Sequence, residues 1–480
     1  MDGGASGTQD GSGESADTKP PADRQEGHPS DGLKKVLKSL GDLEDQNTEL
    51  RSGIEDAQHR LSEAEEKMAS LEEKYESLRK AQFNEVRSEG EGTQARSQAE
   101  GRPFWSRVSL AISENRRYLT VPITVNLARI LVALILYFAH SSSGVFTTTY
   151  MDWQYAGGPL GEPFRIPVPA GHWSYLFFAW DSIWYIRIAQ VGYYGTRFAF
   201  FPTLPLAIRF FYSFTMDFGL AAAIVSFLFG TLWIPFYQAV AEHHMRKDQA
   251  LLNTLLCAFF PFVFLFTSVA YTESIFLLAC VAAWYFYLKG KLPHSFTMIA
   301  LATITRIYGI FMLIPVLLDL AAKKRWKETL YSLVPVFALF LWCFYCYIST
   351  GDWLAFRTVQ VAYWGSPTLF SEFVAKFFAG GPIAWNASTA FILAFTAVAV
   401  YLAFASWEVD KKLGSFAIVG VISNLFVGYI WSYTRHLTFF FPTWLVVKPS
   451  NKHLVAATCV LFLLCSVVLW NQFIMRQWIA

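Results

Sequence analysis

From about residue 119 to the end, the chain is a succession of apolar segments long enough to cross a bilayer, and this limits the fold more than any other feature. In hydrocarbon every backbone polar group must find a partner inside the protein, so segments of roughly 20 apolar residues must be helical. Spans are expected near 119–139, 219–241, 250–268, 271–288, 328–348, 386–406, 413–433, 437–447 and 453–473. Charge follows the same division. Of the 76 Asp, Glu, Lys and Arg residues, 41 lie in the first 118 positions and 35 in the other 362, which excludes a single soluble globule. A formal net charge of +2 gives no reason to expect a nucleic-acid partner. Membrane lipids are the expected surroundings.

The first 118 residues divide by composition. Residues 1–32 are rich in Gly, Ser, Asp and Pro and read as disordered. Residues 33–83 read as a coiled coil. Leu40, Asn47, Ile54, Leu61, Met68 and Tyr75 recur every seven residues, as do Leu43, Leu50, Ala57, Ala64, Leu71 and Leu78, three positions later. About 39 residues at ~1.5 Å each make a rod of ~58 Å. Asn47 at an a position favours a parallel homodimer, with a solvated single helix as the alternative. Residues 84–102 read as a flexible linker, and 103–480 as the polytopic membrane domain. The six cysteines all sit in apolar runs; even Cys343 and Cys346, with their C-x-x-C spacing, read as helix-packing residues and not as a redox or metal motif.

Lysine placement orients the domain. If the N-terminus is cytoplasmic and 295–321 dips in and returns as a hairpin with Arg306 and Gly309 near its tip, every lysine after residue 118 except Lys376 falls on the cytoplasmic side. The interval 199–215, with Pro202, Pro205 and Arg209, should lie along the interface or re-enter. Two Trp- and Tyr-rich loops, about 140–200 and 349–385, then face outward, and chemistry is expected there.

Within the first loop, Trp180, Ile183, Trp184, Arg187 and Ile188 give a short helix one aromatic and apolar face, with Asp181 in its first turn. Asp181 could simply cap that helix. It could equally be a carboxylate partly desolvated by aromatic neighbours and able to act as a general base. Glu273 opens a span from the outer side, Arg306 stands at the hairpin tip, Gln360 lies in the second loop, and Arg435 and His436 follow a span at the outer face. Each has a plain structural reading as helix-start carboxylate, interhelical pair, loop polar residue or interfacial anchor. Asp152, Glu162 and His172 have no supporting motif.

The order Trp180-Asp181, Tyr185, Ile188-Ala189, Gly192-Tyr193, Ala199-Phe-Phe-Pro202 and Pro205, followed by Tyr271-Thr-Glu273-Ser, Thr305-Arg306-Ile-Tyr-Gly309 and Gly351-Asp352-Trp-Leu-Ala-Phe356 to Gln360, resembles the second GPI mannosyltransferase and its prokaryotic relatives. The resemblance covers roughly residues 105–480. It implies an all-α, polytopic C-type glycosyltransferase fold, to which this chain adds the N-terminal coiled coil. It also implies a hexosyltransferase that moves a sugar, usually mannose, from a polyprenyl or dolichyl phosphate to an acceptor hydroxyl of a glycolipid or glycan on the lumenal or extracytoplasmic face, with inversion. In that family the base is a carboxylate of the first outer loop, the place of Asp181. Trp180, Glu273, Arg306, Gln360, Arg435 and His436 would serve donor and acceptor binding. Between Gly192-Tyr193 and Ala199 the chain reads Tyr-Gly-Thr-Arg-Phe, without the carboxylate common in the eukaryotic GPI enzymes, and this shorter spacing is nearer the prokaryotic relatives.

No cofactor is implied beyond the lipid-linked donor. No residues have metal-ligand spacing, although a divalent cation at the donor phosphate is compatible with the chemistry. A eukaryotic source would place the protein in the endoplasmic reticulum, a prokaryotic one in the plasma membrane. The competing class is a lipid or solute transporter, which predicts repeats or broken helices with ionisable groups at the bilayer midplane. No internal repeat is found, and Arg306 is the one deep charge evident from sequence. A membrane scaffold would need a single span, not nine.

Overall fold

The computed structural model describes residues 29–100, 116–141, 173–364, 387–427, 432–475 and 477. They fall into two compact units, Met1–Ser109 and Leu110–Ala480. All regular structure among the described residues is helical.

Among the described residues the first unit holds one helix, α1 (Pro29–Glu100, 72 residues). Pro29 suits the first helical position, where its missing N–H is not needed. No proline follows until Pro103. The helix therefore runs through residues 84–100, where composition suggested a linker. Gln, Glu, Arg and Ala there are good helix formers, and Gly90 and Gly92 cost only about 1 kcal/mol each. Residues 1–28, most of the stretch read as disordered, lie outside the described residues.

In the second unit, α2 (Arg116–His140) is followed by the short helices α3 (Asp181–Val191) and α4 (Thr203–Thr215). Then come α5 (Phe218–His244), α6 (Lys247–Phe259), α7 (Pro261–Phe266), α8 (Glu273–Leu288), α9 (Leu292–Thr305) and α10 (Leu313–Ala322). The chain continues through α11 (Leu333–Thr350), α12 (Ala355–Trp364), α13 (Ala387–Val409), α14 (Lys411–Val427), α15 (Tyr433–Thr438) and α16 (Lys452–Ile474).

Five segments are long and apolar enough to cross a membrane: Arg116–His140, Phe218–His244, Trp326–Thr350, Ala390–Val409 and Lys452–Ile474. The protein is a multi-pass integral membrane protein. Three of the other four expected spans differ from the reading of the sequence. The 250–268 stretch breaks at Pro261, which opens α7. The 271–288 stretch becomes α8, of 16 residues, and α14 covers the 413–433 stretch as far as Val427, residues 428–431 lying outside the described ones. The 437–447 stretch is no span at all: α15 ends at Thr438, and a 3₁₀ turn, Phe441–Val446, follows around Pro442.

The 295–321 interval doubles back. α9 ends at Thr305, Arg306 is extended, and a 3₁₀ turn, Ile307–Met312, leads into α10. At its tip Arg306 reaches Glu273, the first residue of α8, whereas Asp319 near the end of α10 accepts a hydrogen bond from Tyr287 near the other end of α8. The segment thus runs up along α8 and returns. Gly309 permits the fold-back, because a Cβ there would sit 2.4 Å from the carbonyl oxygen of Ala302.

Polar contacts at the C-terminal end of α5 tie several helix ends together. Arg117 pairs with Glu242, His244 lies 4.0 Å from Asp410, and Lys323 and Lys412 both reach Asp319. This end gathers lysines that the sequence places on one membrane face. α4 buries Leu204 and Ile208 and exposes Leu206, Phe210 and Phe214, an outward apolar face at helical spacing.

Candidate functional site

The site is built where α3, α8, α9 and α15 each begin or end. α3 starts abruptly. The Ser182 N–H donates to the Ala179 carbonyl at 3.2 Å, closing a tight turn with Trp180 at φ 54° and ψ −121°. That is the first central position of a type II′ turn, which glycine normally occupies. A tryptophan held there stores on the order of 1–3 kcal/mol of strain. Tyr271 braces it from both sides. Its hydroxyl accepts from the Asp181 N–H at 3.2 Å and lies 3.3 Å from the Ala179 carbonyl, to which it donates.

Trp180, not Asp181, occupies the cap position, so the Asp181 carboxylate is free for another partner. Arg435 Nη1 donates to Asp181 Oδ2 at 2.9 Å. The same guanidinium turns its Nε toward Glu273 Oε1, 3.2 Å away. Glu273 Oε1 also accepts from Arg306 Nη2 at 2.6 Å, while Arg306 Nε donates to Thr272 Oγ1 at 2.8 Å. Two carboxylates and two guanidiniums therefore form one chain of contacts, Asp181–Arg435–Glu273–Arg306. The Arg435 guanidinium also lies over the rings of Tyr271 and Phe266, at 5.1 and 5.5 Å.

Burial is graded along this chain. Glu273 is fully buried and the Arg435 side chain 6% exposed, whereas Arg306 and Asp181 keep 15% and 22% of their side-chain surface. Arg306 and Asp181 are thus the outer groups, first to meet a ligand, with Arg435 and Glu273 behind them. Arg435 Nη2 contacts His436 Nε2 at 3.0 Å. A guanidinium only donates, so Nε2 is the acceptor and Nδ1 carries the proton. His436 lies outside the five spanning helices. Desolvation of its partly buried ring, with the neighbouring Arg435 and Arg306 charges, holds it well below the usual imidazole range.

Of the residues singled out in the sequence, the structure brings together Asp181, Glu273, Arg306, Arg435 and His436, with Trp180 at the strained turn. Gln360 does not join them: its amide donates to the Ala199 carbonyl at 3.3 Å, joining α12 to the Gly195–Ala199 turn. Asp152, Glu162 and His172 lie outside the described residues. Among the described residues no group of three or more His, Cys, Asp or Glu could hold a metal ion.

Two contributors were missed. Tyr185, one turn after Asp181, is buried beside Thr272 and within the field of Arg306, Asp181 and Glu273. Its i, i+4 spacing from Asp181 was a readable signal. Arg129, fully buried in the middle of α2, is a second deep charge. It donates to the Gly230 carbonyl of α5 and to Thr267 Oγ1, at the irregular backbone between α7 and Glu273. Non-helical backbone at membrane depth needs such partners. Arg129 thereby braces the connection that carries Tyr271, Thr272 and Glu273.

No protein-family model matches the chain, and no curated protein sequence matches it. Among solved structures it is similar to ArnT from Cupriavidus metallidurans bound to undecaprenyl phosphate, with 13% sequence identity and a TM-score of 0.37. The alignment covers 72% of this chain and 59% of that one, so the chain spans about three-fifths of that protein's length.

Proposed function

We propose that the protein is a membrane glycosyltransferase that uses a sugar carried on a polyprenyl or dolichyl phosphate, with mannose as the sugar and Asp181 as the general base. The observation that supports this reading is the Asp181–Arg435–Glu273–Arg306 chain, which sets an accessible carboxylate within one residue's reach of clustered guanidiniums.

The chemistry needs both charges. The acceptor hydroxyl oxygen attacks the anomeric carbon and its proton passes to Asp181. A new glycosidic C–O bond forms as the bond to the phosphate oxygen breaks, and the electron pair leaves with the lipid phosphate. The donor is a diester with a single negative charge, and the departing monoester carries about two. Guanidiniums at the phosphate therefore bind the leaving group more strongly than the donor, which lowers the barrier. Arg306 and Arg435 are assigned this role. No general acid is required, unlike glycoside hydrolysis.

In the structure as it stands Asp181 is paired with Arg435. An arriving phosphate competes for Arg435 and releases Asp181 to accept a proton. His436, neutral and already bonded to Arg435, orients that guanidinium. Trp180 packs at the entrance to α3 against the acceptor, and Gln360, on α12 apart from the charged chain, serves the acceptor's hydroxyls. The acceptor is assigned as a glycolipid or glycan on the outer face, with the N-terminus in the cytoplasm.

A lipid or solute transporter is the second reading, favoured by the helix breaks at Phe260 and Arg306. The buried Arg129 fits it less well, since its hydrogen bonds to Gly230 and Thr267 make it a brace. Purified protein in nanodiscs, given polyprenyl-phosphate mannose with labelled sugar and a lipid extract, decides between them. The enzyme moves label to a new lipid or glycan and leaves free polyprenyl phosphate. Movement of intact donor across a liposome bilayer, with no transfer, supports the transporter instead.

A further inference from the structure

Among the described residues the heptad seam of α1 is exposed from Leu33 to Leu71. Counting back from Leu40 extends it by one heptad, with Leu33 at a and Val36 at d. Leu33, Leu40, Leu50, Ile54, Leu61 and Leu71 are each between 55% and 66% exposed. A helix that is otherwise polar gains nothing in water from a straight apolar stripe of this length; the stripe is the imprint of a partner helix.

We propose that α1 binds a second copy of this chain as a parallel, in-register two-stranded coiled coil. Three observations select that occupant. Asn47 occupies an a position, and its amide offers both donors and an acceptor. Only an identical amide at the same height satisfies both halves, so the layer calls for Asn47 of the partner subunit. An antiparallel pairing over heptads 40–78 would instead set Asn47 in the layer of the partner's Leu71, burying an amide against an aliphatic side chain. Second, Arg60 at g comes opposite Glu65 of the partner subunit at e in the parallel register, an attractive pair on each side of the seam. In the single chain Arg60 contacts only Asp56, an exposed i, i+4 pair that contributes little. Third, α1 precedes the membrane unit in the sequence, so two chains inserted in the same sense have their seams tethered at the same end.

Ala57 and Ala64 at d let the two helices approach closely in the middle of the seam at the expense of buried area, while leucines close both ends. The membrane unit gains proximity to a twin without any change at Asp181, so pairing and transfer are separable.

The test uses the full-length protein in detergent. Light scattering at micromolar concentration should give the mass of two chains, and Leu43→Lys with Leu50→Lys should weaken association by roughly 100-fold. These positions are exposed, so the melting temperature of the membrane unit should not move. Differently tagged chains carrying Leu50→Cys or Leu71→Cys then report alignment under mild oxidation, with wild-type chain as the background for the native cysteines. Like-with-like disulfides at 50 and at 71 are expected. A monomeric wild type, a dimer untouched by the two lysines, a dimer without like-with-like disulfides at 50 and 71, or a monomer that pairs only with a different protein would each overturn the proposal.

Discussion

Arg435 Nη1 and Asp181 Oδ2 lie 2.9 Å apart although 254 residues separate them, and the same guanidinium is 3.2 Å from Glu273. One buried cation thus contacts two carboxylates from different helices, and Arg306 supplies the second positive charge. Asp181 stands on α3 and Glu273 on α8, and α15 supplies the charge that lets them share a site.

Removing that charge takes the ion-pair partner from Asp181 and leaves the fully buried Glu273 with Arg306 as its remaining cation among the described residues. Arg435→Ala should lower stability by about 3–5 kcal/mol, as for other broken buried pairs. Arg435→Lys restores one charge but cannot reach both carboxylates with fixed geometry, so it should recover part of the stability and little transfer. Thermal unfolding in detergent and initial transfer rates check the two halves.

The turn at Trp180 predicts an unusual order of variants. Alanine keeps the positive-φ penalty and loses the indole, whereas glycine loses the indole and relieves the backbone. Trp180→Gly should therefore melt above Trp180→Ala, by an amount equal to about 1–2 kcal/mol. At an ordinary helical position the order would be reversed, so denaturation of the pair is diagnostic.

Tyr271→Phe removes both hydrogen bonds that brace Ala179 and Asp181 while keeping the ring under Arg435. At about 0.5–1.5 kcal/mol for each bond, the loss should be about 1–3 kcal/mol. Since the acceptor and donor contacts remain, kcat should fall while KM changes little.

At the hairpin tip, Gly309→Ala places a Cβ 2.2 Å from the backbone carbon of Ala302. Backbone cannot yield as a flexible side chain can, so the tip must open and carry Arg306 away from Glu273. A cost of at least about 1–3 kcal/mol is expected. Donor affinity should fall with it, as measured by retention of labelled polyprenyl phosphate on the immobilised protein.

Much of this arrangement was legible because ionisable residues stand out in an apolar chain. Asp181, Glu273, Arg306, Arg435 and His436 were identifiable as charges that a membrane tolerates only with partners, and they meet. The hairpin at 295–321 followed from lysine arithmetic: a single crossing would have separated Lys323 from Lys289 and Lys291, whereas Asp319, which pairs with Lys323, accepts a hydrogen bond from Tyr287, two residues before Lys289. Arg129 was not recognised because it sits inside a long apolar span, and what it binds are two oxygen atoms from distant segments, Gly230 and Thr267. The 437–447 segment failed for a related reason. Its apolarity is that of a span, but its length and Pro442 let it fold as short turns packed in the core. The place of Gln360, bonded to the Ala199 carbonyl and apart from the charged chain, was not legible, because motif order carries no information on where an amide points.

The most direct measurement compares wild type with Asp181→Asn in nanodiscs, following sugar transfer from polyprenyl-phosphate mannose alongside donor binding. The substitution preserves shape and removes the proton acceptor. Transfer should fall by at least about 100-fold, the low end for loss of a general base, while donor affinity stays within a few-fold. Equal transfer by the two proteins would remove Asp181 from the chemistry, and failure of the wild type to bind donor or transfer sugar would contradict the glycosyltransferase reading itself.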